Sequence, residues 1–439
     1  GYYNEPRMYA VTRLQQYRLP HTVLTWLASV GLALALVVGC AQNELGNLSA
    51  PSTGDLSLSP SPRSTFDDRM FDACGPGGPT ALGQANLIRQ PYIQKVTDTS
   101  MEILWTTGST DAPEVRVTDA DGAVLAEAVA VVDDSSRPLE GTQYVTRLQG
   151  LEPNSTLCYE IIGSDGEWFE PTGFRTAPRT GDNTAPVRIM VFGDVGSRST
   201  DQFAVLDQMK TVEFDLSLVA GDLAYDDGKK IELENHFFSV YHELMSRAAF
   251  FPASGNHDYH TADASAFREA FALFENGGEE GIERWYSFDW GNVHVAVIDT
   301  EVLQQSQYDW LEEDLANSEQ PWKIVVGHRP PYSSGTHGSD ADVRNAFGPI
   351  IERHGVQLGI FGHEHDYERT KEMSGVTYLV TGGAGRGTRP VGTSSFTAFS
   401  AQVAHFVYLE IDGDKLSMFA IDGEGNDFDT LQLSAASLN

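Results

Sequence analysis

Five apolar runs between residues 187 and 361 each stop at a glycine that is followed at once by Asp, Asn or His. The runs lead into GDVG at 193–196, GDLAY at 221–225, GNHD at 255–258, GHRP at 327–330 and GHEH at 362–365. Helical patterns separate the runs, so this region is typical of an α/β domain. Because ligands collect outside the carboxyl ends of strands in open α/β sheets, we expect the five segments to meet.

The residues that follow these glycines are of the types that hold metal ions. Taken alone, each Gly-Asp or Gly-Asn pair is typical of a turn, and His363 with His365 is typical of a solvated strand face. Together, carboxylate and imidazole groups suit borderline ions such as zinc, iron or manganese. Two such ions about 3.5–4 Å apart stabilise the attacking and leaving oxygens of a phosphoryl displacement. The pattern therefore predicts a site for two metal ions.

The order GD…GDxxY…GNH…GH…GHxH resembles that of the calcineurin-like metallophosphoesterases, and Tyr225 resembles the tyrosine of their purple acid phosphatase branch. This resemblance implies a two-layer α/β metallophosphoesterase sandwich with both ions at one edge. The ligands it implies are Asp194, Asp222, Tyr225 and His365 for one ion, and Asp222 as bridge with Asn256, His328 and His363 for the other. Because a phenolate is a hard donor, the resemblance implies Fe³⁺ at the tyrosine and Zn²⁺, Mn²⁺ or Fe²⁺ opposite.

The same resemblance implies an acid phosphatase that hydrolyses phosphate monoesters by attack of a metal-bound hydroxide. His257 would stabilise the developing charge, and Asn256 and His257 would bind the phosphate. Arg329 lies in the GHRP motif, and we expect it to bind the phosphate as a local cation. His337 resembles the position where some members place a proton-donating histidine. An alternative keeps the two-metal site for a phosphodiester or a nucleotide. A non-catalytic surface binding protein is disfavoured, because all seven ligand positions carry a competent residue.

Residues 85–180 have a different pattern, with short alternating runs separated by turn residues. This spacing is typical of an antiparallel β-sandwich. The stretch LQGLEPNSTLCYEI followed by FRTAP resembles a fibronectin type III module, and RQPYIQ at 89–94 resembles the opening strand of the N-terminal domain of purple acid phosphatases. We therefore expect a fibronectin type III-like domain, with Trp105 and Tyr159 in its core, before a catalytic domain at 185–435.

The segment 1–39 resembles a bacterial lipoprotein signal peptide. Its apolar run ends at Gly39, and Cys40 would then carry the lipid as the first mature residue. The alternative is an uncleaved anchor of about sixteen apolar residues, which is short for a full span. The Ser-, Pro- and Gly-rich stretch at 40–84 predicts a linker. We therefore expect an exported protein, periplasmic or extracellular, that is lipid-anchored to the outer membrane or cell surface.

The net charge of the chain limits the kinds of partner that it can bind. Asp and Glu number 62 against 29 Lys and Arg, and the resulting formal charge of −33 argues against nucleic acid and anionic membrane surfaces. A small phosphorylated substrate would need local cations, and membrane contact is expected only through the lipid anchor.

Cys74 and Cys158 either pair as a disulfide or remain one free and one buried thiol. The sequence makes no prediction of oligomeric state.

Overall fold

The computed structural model describes residues 73–109 and 112–435. The predicted signal peptide at 1–39, the predicted lipidation site Cys40 and the linker as far as residue 72 lie outside the described residues. In the described ranges, no helix is both long enough and apolar enough to cross a membrane.

The N-terminal part of the described chain consists of two antiparallel sheets. Their strands are β1 (Gly78–Pro79), β2 (Leu87–Gln94), β3 (Ser100–Thr107), β4 (Glu114–Thr118), β5 (Val124–Val129), β6 (Val131–Val132), β7 (Thr142–Gln149), β8 (Thr156–Gly163) and β9 (Gly166–Arg175). One sheet has the order β1–β9–β8–β4–β5, and the other has the order β2–β3–β7–β6. Neighbouring strands run antiparallel throughout both sheets.

Side chains from both of these sheets belong to one hydrophobic core. Trp105 and Tyr159 are fully buried there, as the sequence predicts. The ring of Tyr159 stacks on Phe169 with 6.1 Å between centroids, and its hydroxyl donates a 2.8 Å hydrogen bond to the carbonyl oxygen of Ser246. The fibronectin type III-like assignment and the domain boundaries stay predictions.

Residues 73–84 belong to this region rather than to the predicted linker. Cys74 forms a disulfide with Cys158 of β8, and the two Cα atoms are 5.5 Å apart. Strand β1 pairs with β9, and helix α1 (Ala81–Asn86) follows it. The linker predicted at 40–84 is therefore wrong at its C-terminal end, because composition does not show that a disulfide and a short strand attach this segment to the sheet.

The second region combines two further sheets with helices. Its strands are β10 (Val187–Phe192), β11 (Leu216–Val219), β12 (Ala249–Pro252), β13 (Tyr286–Trp290), β14 (Val293–Val297), β15 (Trp322–Val326), β16 (Leu358–Phe361), β17 (Tyr367–Thr370), β18 (Thr377–Thr381), β19 (Thr397–Ala401), β20 (His405–Asp412), β21 (Lys415–Asp422) and β22 (Asp427–Ser434). Its α-helices are α2 (Thr200–Met209), α3 (Lys230–Glu232), α4 (Ser239–Met245), α5 (Ser265–Arg268), α6 (Gln305–Asn317) and α7 (Ala341–Arg353). A π-helical turn at Leu233–Phe238 joins α3 to α4, and 3₁₀ turns lie at Asp258–His260, Ala262–Ala264 and Glu279–Gly281.

The sheets of this region have the orders β12–β11–β10–β20–β21–β22 and β13–β14–β15–β16–β18–β17–β19. Buried side chains of both sheets share one core, and a second core lies between the seven-stranded sheet and helices α6 and α7. The predicted α/β class is confirmed in outline. The two-layer description is incomplete, because strands such as β14 are buried along their whole length and need cover on both faces.

The glycine segments follow parallel strands. β10, β11 and β12 are parallel neighbours in one sheet, and β15 and β16 are parallel neighbours in the other. Backbone hydrogen bonds join the segments: the N–H of Asp194 donates to the carbonyl of Gly221 at 3.1 Å, and the N–H of Gly362 donates to the carbonyl of His328 at 2.9 Å. The segments therefore meet at one edge, as the strand pattern predicts.

Candidate metal centre

The phenol of Tyr225 lies among three other predicted ligands. Its hydroxyl oxygen is 2.8 Å from Oδ1 of Asp194, 2.8 Å from Oδ2 of Asp222 and 3.2 Å from Nε2 of His365. All four side chains are buried. These donors come from three different loops, and we call them the tyrosine half of the candidate metal centre.

Asp222 also lies beside the remaining predicted ligands. Its Oδ2 is 3.5 Å from Nε2 of His328, and that nitrogen is 3.2 Å from Oδ1 of Asn256. The imidazole rings of His328 and His363 are 5.1 Å apart between centroids. We call Asn256, His328 and His363 the histidine half. All seven predicted ligands thus lie in one cluster, with Asp222 between its halves.

Glycines precede the ligands because a side chain at those positions would displace a carboxylate. A Cβ atom on Gly255 would lie 2.2 Å from Oδ1 of Asp222, and one on Gly362 would lie 2.6 Å from Oδ2 of Asp194. Glycine is the residue that allows backbone to approach another group so closely. The recurring glycine in the motifs is therefore a packing requirement of the cluster.

Three of the predicted ligands have a left-handed backbone conformation. The φ angles are 58° at Asp194, 51° at Asp222 and 69° at His363. Such conformations cost about 1–3 kcal/mol each for residues with a Cβ, and they persist where the surrounding structure fixes them. Strain of this kind concentrates at functional sites, so it independently marks the cluster as one.

Burial and charge pairing set the protonation of the cluster. Burial lowers the pKa of His328, but the Asp222 carboxylate raises it to about 10 overall. Burial raises the pKa of Asp222, yet the imidazole of His328 holds it well below its usual range. Burial and the nearby cations of His328 and Arg329 lower the pKa of His363 to about 2. A bound cation would replace the proton on His328, because imidazole binds metals in its neutral form.

Comparison with known proteins shows what this part of the chain is similar to. Residues 187–367, which contain all seven predicted ligands, match the family described as calcineurin-like phosphoesterase. Purple acid phosphatase 21 of Arabidopsis thaliana is 30% identical over 53% of this chain and 54% of its own length. Acid phosphatase type 7 of Mus musculus is 29% identical over 62% of this chain and 67% of its own length.

The fold has a counterpart among solved structures. Purple acid phosphatase PPD1 from yellow lupin (Lupinus luteus) seeds superposes with a TM-score of 0.69, covering 78% of this chain and 74% of that one at 21% identity. At this identity the similarity shows the fold alone. The chain spans about half to two thirds of the length of the first curated relatives it matches.

The calcineurin-like phosphoesterase family implies two metal ions, and the donor atoms present fit such a pair. In the described ranges, Asp194, Asp222 and His328 each offer a ligand atom, and these atoms all lie within 4.8 Å of one another. A carboxylate between two sets of donors is the arrangement that a pair of cations requires. This cluster therefore has the residues to hold both ions.

The two predicted catalytic histidines lie at the edge of the cluster. The backbone N–H of His257 donates a 2.8 Å hydrogen bond to Oδ1 of Asp222, and its ring packs on Tyr225 with 4.4 Å between centroids. The ring of His337 is 4.6 Å from that of His363 between centroids. Because 47% of the His337 side chain is exposed, this residue stands at the rim of the site.

Arg329, which the sequence predicts as a substrate ligand because it lies beside a motif, already has a carboxylate partner. Its Nε and Nη2 donate to the two oxygens of Glu301 at 2.7 and 2.9 Å. Its Nη1 is 3.4 Å from Nε2 of His363. A contact from Arg329 to a phosphate would therefore use Nη1. No sequence motif predicts the ion pair between Arg329 and Glu301.

Sequence reasoning gave no role at the cluster to His236 or Asp258, and it gave Arg386 only the general role of a nearby cation. Nδ1 of His236 is 2.9 Å from the carbonyl oxygen of Tyr225. Asp258 accepts a 2.8 Å hydrogen bond from the N–H of Gly255, and burial, together with the charge of the nearby Asp222 carboxylate, raises its pKa to about 8. The guanidinium of Arg386 lies 5.0 Å from the ring centroid of Tyr225. Asp258 is the last residue of the GNHD motif, so its place at the cluster could have been predicted from that motif.

Proposed function

We propose that this chain is a binuclear metal-dependent phosphatase that hydrolyses phosphate monoesters, in the manner of an acid phosphatase. The observation that carries the proposal is the single cluster of seven ligands, in which Asp222 lies 2.8 Å from the Tyr225 hydroxyl and 3.5 Å from His328. The similarity to acid phosphatases supports it. A binding protein with a decayed site would have lost ligands, and every position here carries one.

The two halves of the centre suit different ions. The tyrosine half offers a phenol and carboxylates, which are hard donors that suit Fe³⁺. The histidine half offers imidazoles and an amide, which suit Zn²⁺, Mn²⁺ or Fe²⁺. When bound, such ions polarise phosphate oxygens and lower the pKa of water, so that hydrolysis runs below neutral pH.

The chain's own side chains orient the phosphate and handle protons. The amide of Asn256 and the imidazole of His257 border the cluster and donate hydrogen bonds to phosphate oxygens. His337 stands at the exposed rim and gives a proton to the leaving oxygen. Arg329, Arg386 and Arg389 border the site and supply positive charge there. They offset the formal charge of −33, which would otherwise repel a phosphorylated substrate.

We also propose that the chain is exported and lipid-anchored through Cys40. The disulfide between Cys74 and Cys158 supports an oxidising compartment, because structural disulfides are rare in reducing ones. Incorporation of labelled palmitate in the native host tests the anchor. Label in the wild type and none in Cys40→Ser is the expected result, and equal labelling of both contradicts it.

The activity is tested with para-nitrophenyl phosphate against bis-para-nitrophenyl phosphate, using the full-length chain from acid to alkaline pH. We expect the monoester to be preferred at acid pH, and Asp222→Asn to lower kcat at least about 100-fold because both ions lose a shared ligand. The control is Asp121→Asn, an exposed position in the turn between β4 and β5, which should keep full activity. A diester preference or an alkaline optimum would overturn the acid phosphatase proposal.

A further inference from the structure

The segment 363–368 presents two different faces. His363 and His365 point into the metal centre, where Nε2 of His365 is 3.4 Å from Oδ1 of Asp194. Glu364 and Glu368 are completely buried. Neither carboxylate is among the predicted metal ligands. They lie instead against the neighbouring loop at 333–338, which we call the rim loop.

The rim loop is held to this segment through its backbone. Glu364 accepts hydrogen bonds from the backbone N–H groups of His337 and Gly338, the second at 2.8 Å. Glu368 accepts hydrogen bonds from the N–H and the hydroxyl of Ser334, the second at 2.8 Å. Hydrogen bonds to a buried carboxylate are stronger than those between neutral groups. Both ends of the rim loop are therefore fixed to the segment that carries two metal ligands.

Glu364 differs from Glu368 because it also lies beside the imidazole of His337. Its buried Oε2 lies 3.3 Å from Nδ1 of His337, and it makes no hydrogen bond to any described residue in this geometry. Nδ1 of His337 also lies 3.4 Å from Nη1 of Arg389. In the described ranges, Nε2 of His337 has no hydrogen-bond partner. One carboxylate thus fixes the backbone of His337 with one oxygen and faces its imidazole with the other.

We propose that Glu364 is a positioning residue for phosphate ester hydrolysis: it holds Nδ1–H of His337 and so presents Nε2–H to the leaving oxygen of the substrate. The inference rests on the proposed phosphatase function. As water forms the new bond to phosphorus and releases one proton, the ester P–O bond breaks and the departing oxygen takes one proton from Nε2. The ring then recovers a proton from solvent, so the reaction consumes one water and no other reactant.

The test compares substrates whose leaving groups differ in their need for a proton. Phenolate leaves less readily than para-nitrophenolate, so phenyl phosphate depends more on a proton donor. In Glu364→Gln, one amide oxygen still accepts both backbone N–H groups, while the amide nitrogen replaces the oxygen that faces Nδ1. The control is Glu368→Gln, which changes the other carboxylate of the same segment and does not touch His337.

We expect Glu364→Gln to lower kcat for phenyl phosphate by about 10- to 100-fold and for para-nitrophenyl phosphate by less than about threefold, with KM unchanged for both. His337→Ala should show the same pattern, and the double variant should add nothing further. Glu368→Gln should not lower kcat for one substrate more than for the other. An equal loss on both substrates, or a pattern shared by both glutamine variants, would show a merely structural role and overturn the inference. A wild-type chain inactive on both substrates would instead overturn the proposed function.

Discussion

At the scale of single residues, the ligands depend on neighbours that bind no ion. Gly255 leaves room for the carboxylate of Asp222, and Asp258 fixes the N–H of Gly255. His236 contacts the carbonyl of Tyr225 from the π-helical turn. Catalytic geometry tolerates little displacement, so residues of this kind are as necessary as the ligands.

Replacing Gly255 by alanine tests this dependence. The new Cβ would lie 2.2 Å from Oδ1 of Asp222, so the carboxylate must move and we expect kcat to fall by about 100-fold or more. Gly348→Ala is the control, because its Cβ in helix α7 would meet only Cγ of Arg344 at 3.8 Å. Steady-state kinetics should show full activity for the control, and full activity of Gly255→Ala would contradict the packing argument.

At the scale of elements, a charged histidine fastens helix α6 to the seven-stranded sheet. Nδ1 of His294 in β14 is 2.8 Å from Oδ1 of Asp289 in β13, and its Nε2 is 2.8 Å from Oδ2 of Asp314 in α6. Burial lowers the pKa of this imidazole, but hydrogen bonds to the two carboxylates outweigh burial and raise the pKa to about 9. The folded state therefore keeps a proton that the unfolded chain releases near pH 6.5.

Because the folded pKa of His294 is raised, its stabilisation is complete below pH 6.5 and is lost as pH rises through about 9. The shift corresponds to about 3 kcal/mol. We expect His294→Gln to lower the free energy of unfolding, measured by urea denaturation, at both pH 6.5 and a pH above about 9. The loss at pH 6.5 should exceed the loss at the higher pH by about 3 kcal/mol. His405→Asn is the control. Burial lowers the pKa of that histidine to about 4, so its protonation is the same at both pH values and its loss should not depend on pH. An equal deficit at both pH values for His294→Gln would contradict the assignment.

The elements and the ligands were predictable because each signal is local. An apolar run, a glycine and a polar ligand lie within a few residues, so the sequence indicates both the strand and the ligand at its end. Pairings between distant segments have no such signal: Glu301 neutralises Arg329, and Glu364 reaches His337 from another loop. Two cysteines alone likewise fix no distance between them, so only the structure shows that they pair.

At the scale of the whole molecule, strand β2 packs the N-terminal sheets against the region that holds the metal centre. The guanidinium of Arg89 donates from Nε to both oxygens of Glu234 at 3.1 Å and lies 3.9 Å from the ring centroid of Phe238. The hydroxyl of Tyr92 donates to the carbonyl of Ala270 at 2.7 Å. The RQPYIQ stretch is therefore the strand that contacts the second region. Buried polar groups such as Arg89 fix the orientation of the two regions only when each has a partner.

Within residues 73–109 and 112–435, the acidic molecule presents a candidate metal centre, and we propose that it holds two ions, with iron at Tyr225. The most direct measurement combines elemental analysis of the full-length chain with its visible absorption spectrum. We expect about two metal ions per chain, one of them iron, and a charge-transfer band that disappears in Tyr225→Phe while the divalent ion remains. A colourless chain without iron, or a band that survives in Tyr225→Phe, would contradict the account.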